Sequence, residues 1–399
     1  MNPTAPTSPR LARRTDAIAP FQVMELVKQA TALQQQGHPV IHLSIGEPDF
    51  TAPPAVIDAL ERAARAGRAQ YTPAVGTPEL RAAIAQDTWR RHGVRIAPER
   101  VIVTAGASAA LTLACCALVN PGDEVLLTDP SYPCNRHFVA AFDGLPVGVR
   151  VGAESRFQMT ADALRAHWTD RTVGTLLASP ANPTGTSIPF DELARIVEAV
   201  RARNGFTIVD EIYIGLSHTE QRVRSALELG DDLLVCNSFS KVFQMTGWRL
   251  GWLVLPETLV PAVEKLIEFN SSCAPEFVQM AGITAIEQGD QATLDFVESV
   301  RAGASHLMTL LRGLGSVQAV EPEGAMYVLL RIDGHPDSLT LAKDLVSRAR
   351  LGLAPGIAFG SSSEGYLRWC VARPPAVLAE GVDRLAGYLN PRKLNPRKG

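Results

Sequence analysis

The 399-residue sequence is short of the features that mark several protein classes. No stretch approaches the ~18 uninterrupted apolar residues that a membrane-crossing helix needs. The opening residues, Met1 to Arg10, carry three prolines and no apolar core, which argues against a signal peptide and for a flexible leader over 1–14. The six cysteines are scattered, with no C-x-x-C pair, and most sit in apolar runs. They read as reduced, packed thiols of a cytoplasmic protein, not as a disulfide frame or zinc site. The eight histidines show no metal spacing either, so no metal is expected. Net charge is only −3, without a basic field, which speaks against nucleic acid as a partner. What remains is an ordinary globular composition, 46% hydrophobic and 20% charged, long enough for two well-buried cores.

One stretch organises the rest: Asn237-Ser-Phe-Ser-Lys-Val-Phe-Gln-Met-Thr-Gly-Trp-Arg-Leu-Gly-Trp252. Leu233–Cys236 before it and Leu250–Leu255 at its end read as short buried strands. Lys241 therefore lies in a loop between buried strands, where a permanent charge is costly. Such a lysine finds a counter-ion or has its pKa lowered, and a lowered pKa makes a nucleophile. A plain surface lysine is the alternative reading.

Other loops fit a ligand site without proving one. Val101–Thr104 reads as a strand and Ala109–Leu118 as a helix, joined by Ala105-Gly-Ala-Ser108. That arrangement aims free N–H groups and a helix dipole at an anion, though small residues also close ordinary turns. Phe206–Asp210 is a strand ending in an acid at its carboxyl end, where open α/β sheets bind ligands. Gly46, Tyr71, Tyr132 and Asn182 sit in Pro/Gly-rich loops and could be turn or packing residues alone. Arg368, inside the strand Tyr366–Val371, could point to solvent or pair with an acid.

Helical spacing appears over 11–36, 54–66, 189–203, 257–312 with a break at Ser271-Ser-Cys-Ala-Pro275, and near 339–350, with one long helix across 280–312. Strands alternate with helices from about 100 to 255. The expected fold class is therefore α/β: a large domain with a mainly parallel, helix-flanked sheet, plus a smaller α/β domain. The boundaries read as an N-terminal arm over 15–45, a large domain over 46–285, a small domain over 286–390 and a tail over 391–399. The tail repeats Leu389-Asn-Pro-Arg-Lys393 at 394–398 and is given no function.

Taken together in order, Ser-x-Ser-Lys241 followed by Thr-Gly-Trp-Arg249-x-Gly, Gly46-x-Pro-Asp, Tyr71-x-x-x-x-Gly, Pro-x-Tyr132, Asn182-Pro-Thr-Gly and Asp210-Glu-x-Tyr213 resemble the fold-type I pyridoxal-phosphate (PLP) aminotransferases of class I and II. The resemblance spans roughly residues 15–390. It implies PLP as cofactor and Lys241 as the Schiff-base lysine and proton shuttle. Asp210 would keep the pyridine nitrogen protonated, Tyr213 and Asn182 would hydrogen-bond the 3′-oxygen, and Tyr132 would stack on the ring. Gly106, Ala107, Ser108, Ser238, Ser240, Arg249 and Tyr71 would hold the phosphate, Tyr71 from the neighbouring subunit of a homodimer. Arg368 would grip the substrate carboxylate, with Gly46 and Asn182 beside it. The activity implied is amino-group transfer from an L-amino acid to a 2-oxo acid in a PLP/PMP ping-pong cycle. A β-lyase or α-oxoamine synthase could run on the same residues. A ligand-binding regulator is the remote alternative, since such proteins carry a DNA-binding module where only a short leader stands here. The residues facing the substrate side chain are placed at Ile18, Phe21, Phe269 and Asn270; the donor and the isomer at Pro183 stay open.

Overall fold

The computed structural model describes residues 10–390, apart from Ala17, Ala19, Phe21, Pro48, Asp49 and 220–222. The 1–9 part of the leader, the 391–399 tail, the Phe21 position and two residues of the Gly46 motif thus lie outside the described residues.

Thirteen strands occur among these residues, in three sheets. A two-residue strand β1 (Ile41–His42) precedes the main sheet, which comprises β2 (Val101–Thr104), β3 (Glu124–Asp129), β4 (Leu145–Arg150), β5 (Thr172–Ala178), β6 (Phe206–Asp210), β7 (Leu234–Ser238) and β8 (Gly251–Val254). Their spatial order is β2-β8-β7-β6-β5-β3-β4, parallel throughout except for β8, which runs antiparallel to both neighbours. This mainly parallel sheet is the α/β fold expected from the alternation of strand and helix. Apart from the edge strand β4, its strands are mostly buried, as expected of a sheet covered on both faces. Alternate residues feed separate cores: Val103, Leu126, Leu177, Val209 and Val235 join one cluster. Ile102, Val125, Leu176, Ile208 and Leu234 join the other. Opposite pointing of successive side chains produces that division.

Later in the chain come β9 (Val317–Ala319), β10 (Tyr327–Ile332), β11 (Leu351–Gly352), β12 (Ala354–Pro355) and β13 (Tyr366–Cys370). Four of them form an antiparallel sheet ordered β12-β13-β10-β9. β11 pairs instead with β1, in register Ile41↔Leu351. The helix Gln22–Gln35 also packs here, Val23 clustering with Ala354, Ala358 and Phe359. Among the described residues, no helix is long and apolar enough to cross a membrane.

Several expectations need correction. The single helix across 280–312 is two, Glu276–Gln288 and Asp290–Arg312, broken at Gly289. Gly289 closes the first by donating to Ala285 O, and its own carbonyl receives the Thr293 N–H of the second. The N-terminal helix is shorter than 11–36: it starts at Gln22, after Pro20, and upstream of it the described residues hold only a 3-10 turn (Arg13–Thr15). The segment near 339–350 is helical from Ser338 to Asp344 and then widens into a π turn. The peptide bonds before Pro130, Pro180 and Pro183 are cis.

Candidate active site

Lys241 is positioned by the hairpin that makes β8 antiparallel. Ser238 at the end of β7 pairs with Gly251 at the start of β8, and the loop between them carries the lysine. The loop is pinned at its base by Phe239 N–H to Leu250 O, 3.0 Å, and by Met245 N–H to Phe239 O, 3.1 Å. Apolar side chains of the same loop, Phe239 and Met245, are fully buried beneath it. The lysine consequently points into a cavity of about 250 Å³ at the carboxyl ends of the parallel strands.

Eleven residues expected from the sequence line this one cavity: Gly46, Ala107, Ser108, Tyr132, Asn182, Asp210, Tyr213, Ser240, Lys241, Arg249 and Arg368. Lys241 Nζ donates to Gly46 O at 2.6 Å. Burial draws its pKa down to about 8, assisted by the Arg368 and Arg249 charges and opposed by Cys370 and Glu47. Asp210 ends β6, and burial pushes its carboxyl up to about 6 against the Ile212 N–H and the Lys241 charge. It accepts that N–H at 3.1 Å. A carboxylate this deep is well matched to a cationic N–H donor in the cavity, which would restore its ionised form.

An anion pole lies at one end. The helix Ala107–Leu118 starts after Gly106, at φ 85°, with no side chain capping its first turn. A Cβ on Gly106 would run into the Arg249 guanidinium. Arg249 donates to Thr246 O at 2.8 Å and reaches Ser240 Oγ at 3.4 Å, and no carboxylate pairs with it among the described residues. Free helix N–H groups, a hydroxyl and an unneutralised guanidinium are donors matched to a phosphate.

A second cation stands apart from the first. Arg368 is 3% exposed, in β13, sandwiched between the rings of Tyr327 (4.3 Å) and Phe359 (4.7 Å). It donates to Asn182 Oδ1 at 2.8 Å and to Ser44 O, while its Nε is buried without a partner. No acid neutralises it among the described residues, so a bound carboxylate would answer an otherwise costly buried charge. The residues present therefore fit PLP: an anion pole, a lysine of lowered pKa, a buried acid and a flat aromatic, Tyr132.

Three expected residues are not in the cavity wall. Gly106 stands just behind it. Ser238 is fully buried; its Oγ lies 2.9 Å from both Ser240 Oγ and Leu250 O and accepts the Ser240 N–H. It supports the loop from below through these bonds. Tyr71 is 87% exposed and lies outside this cavity. Phe269 is 92% exposed and Ile18 42%, Asn270 is exposed too, and none lines the cavity. Val23, Met24, Ile45, Leu111 and Ile212 do. Sequence reasoning also missed Ser44, Ala178, Thr246 and Tyr327. Tyr327 sat in an apolar strand and carried no signal of its own.

An α/β fold with this lysine, acid and pair of unneutralised arginines suits a PLP-dependent enzyme that acts on amino acids. Comparison with known proteins agrees: residues 38–385 match the family "Aminotransferase class I and II", and the chain belongs to it. It is 36% identical over 384 residues to the valine–pyruvate aminotransferase of Mycobacterium tuberculosis, covering 95% of this chain and 98% of the relative. It is 32% identical to the aspartate aminotransferase of Thermotoga maritima, covering 96% and 100%. The crystal structure of an aminotransferase from M. tuberculosis superposes with a TM-score of 0.92 at 35% identity, covering 96% and 100%. The protein moves an amino group from an amino acid to a 2-oxo acid by the ping-pong route of its family, with PLP as cofactor. The lyase, synthase and regulator readings find no support in these relatives.

Proposed function

We propose that the donor is an L-amino acid with an apolar, aliphatic side chain and that the acceptor is a small 2-oxo acid such as pyruvate. The observation carrying this is the charge inventory of the cavity. Its only cations among the described residues are Lys241, Arg249 and Arg368, and each already has a task. The remaining wall, with Val23, Met24, Ile45, Leu111 and Ile212, offers apolar contact and no group for a second carboxylate. The valine–pyruvate name of the M. tuberculosis relative points the same way.

In this reading Arg368 clamps the α-carboxylate with its free N–H groups, oriented by Asn182 and Ser44 O. Arg249, Ser240, Ser108 and the first-turn N–H groups of Ala107–Leu118 hold the phosphate. Ser238 keeps Ser240 in place. Tyr132 would stack on the cofactor ring, and Asn182 and Tyr213 would hydrogen-bond its 3′-oxygen. Asp210 would keep the ring nitrogen protonated. Bound PLP supplies capture of the amino group at its aldehyde and withdrawal of electrons from Cα into the ring. Lys241 Nζ, its pKa drawn down by burial, would carry the proton between the substrate Cα and the cofactor C4′. Gly46 leaves its backbone close to the substrate, and its carbonyl keeps Lys241 Nζ aimed between the two positions.

The reading includes a cytoplasmic homodimer with shared sites and the division of the chain near residue 285. Tyr71, exposed on one chain, would complete the partner's phosphate site. Mixing Lys241→Ala with Tyr71→Ala chains tests this, because only a shared site is complete in the mixed dimer. No regained activity would rule it out. For the donor, the assay is kcat/KM with pyruvate across valine, alanine, leucine, phenylalanine and aspartate. An aliphatic donor should exceed aspartate by roughly tenfold or more. Aspartate equal or better would overturn the proposal.

A further inference from the structure

One side chain in the cavity touches three of the groups assigned above. Tyr327 in β10 is 1% exposed. Its hydroxyl lies 2.7 Å from Tyr213 Oη, with the two rings nearly perpendicular at 80°. Its ring face carries the Arg368 guanidinium at 4.3 Å. Gly46 passes so near that a Cβ there would overlap the Tyr327 hydroxyl and come within 2.9 Å of Cζ. A phenylalanine would fill this space without a buried hydroxyl, so the hydroxyl calls for an explanation of its own.

We propose that Tyr327 is a positioning residue that donates its phenolic hydrogen to Tyr213 Oη, leaving the Tyr213 proton free to point at the cofactor's 3′-oxygen, while its ring braces Arg368. This rests on the reading of Tyr213 and Arg368 given above. Of two phenols sharing one hydrogen bond, the stronger acid donates. The Arg368 guanidinium lies over the face of the Tyr327 ring at 4.3 Å, and a cation there draws electron density from the phenol oxygen and makes Tyr327 the stronger donor of the pair. In the opposite direction, Tyr213 would spend its only proton on Tyr327 and meet the 3′-oxygen with lone pairs. An accepted hydrogen bond also polarises Tyr213, making it the better donor. Tyr327 thereby links the carboxylate grip to the group that tunes the cofactor.

The test uses the full-length, PLP-loaded protein and the visible absorption band as a function of pH. The band's midpoint reports protonation of Lys241 Nζ in the loaded enzyme. A proton given to the 3′-oxygen lowers the basicity of that nitrogen, so weakening the donor raises the midpoint. Tyr213→Phe should raise it. Tyr327→Phe should raise it by about half a pH unit. The double variant should move no further than Tyr213→Phe, because one acts through the other. Tyr327→Phe keeps the ring, so KM for the amino acid should stay within about twofold, whereas Tyr327→Leu should raise KM by about fivefold or more. A wild-type midpoint in Tyr327→Phe, or additive shifts in the double variant, overturns the proposal and leaves the site reading standing. No visible band on adding PLP, or no shift in Tyr213→Phe, overturns the site reading and the proposal with it.

Discussion

Replacing Arg368 with lysine keeps the charge and changes only its shape, which isolates what the guanidinium fork does. Arg368 donates from Nη1 to Asn182 Oδ1 and from Nη2 to Ser44 O. Of about five guanidinium N–H groups, roughly three are then left for a substrate carboxylate, among them the unpartnered Nε. An ammonium with about three hydrogens that still served Asn182 and Ser44 would have roughly one left. The exchange loses at least one charge-assisted hydrogen bond, about 1.5–3 kcal/mol. It also weakens the sandwich between Tyr327 and Phe359, about 0.5–1 kcal/mol more. The sum, about 2–4 kcal/mol, corresponds to roughly a 30- to 1000-fold loss in kcat/KM. Because amino acid and 2-oxo acid both carry the α-carboxylate, the loss should fall on both halves of the ping-pong cycle. The assay is steady-state kinetics with each substrate varied in turn, with PLP retention followed by absorbance. Values within threefold of the parent for both substrates, or a loss confined to one of them, would refute the assignment of Arg368.

Gly46→Ala should drive Cβ into the Tyr327 hydroxyl, displacing the 44–47 loop and the carbonyl that holds Lys241; kcat/KM should fall by about tenfold or more while PLP binding persists, as kinetics and absorbance will show. Without cofactor, stability should fall between about pH 4 and pH 7. Over that window the unfolded chain releases protons from Asp210 (ordinary value 3.8) and Glu211 (4.5), while the folded chain holds them to about 6 and about 7, chiefly because both are buried. Asp210 alone accounts for about 3 kcal/mol of this, and Asp210→Asn should remove that share in urea titrations at pH 4 and pH 7. Thiol titration of the native protein should reach at most Cys116, Cys134 and Cys273, because Cys115, Cys236 and Cys370 are buried; burial pushes the Cys115 thiol up to about 12. Reaction of all six at the rate seen in denaturant would contradict the packing.

The loops that meet substrate and cofactor were legible from sequence because their chemistry is local. A lysine in a Ser/Gly loop between apolar runs, an acid closing a strand and a small-residue turn opening a helix each state their role within a few residues. The sheet was legible too, since apolar runs of strand length alternated with helical spacing. Gly289 shows the limit of periodicity: two helices joined at one residue keep one apolar rhythm across a break that only backbone hydrogen bonds reveal. Ser238 shows another. Three residues from Lys241 it shares the motif, yet its hydroxyl is turned under the loop to serve Ser240 and Leu250.

The sequence by itself determined the fold class, the lysine, the acid and the ordered set of loops, because each rests on residue type and short spacing. Tertiary structure alone decided what surrounds them. It brought Val23, Leu111 and Ile212, nearly two hundred residues apart along the chain, onto one apolar wall. It also set Tyr327 against Tyr213, Arg368 and Gly46. A buried tyrosine in an apolar strand looks like core until packing shows which hydroxyl it faces, and no local pattern encodes contacts between segments that far apart.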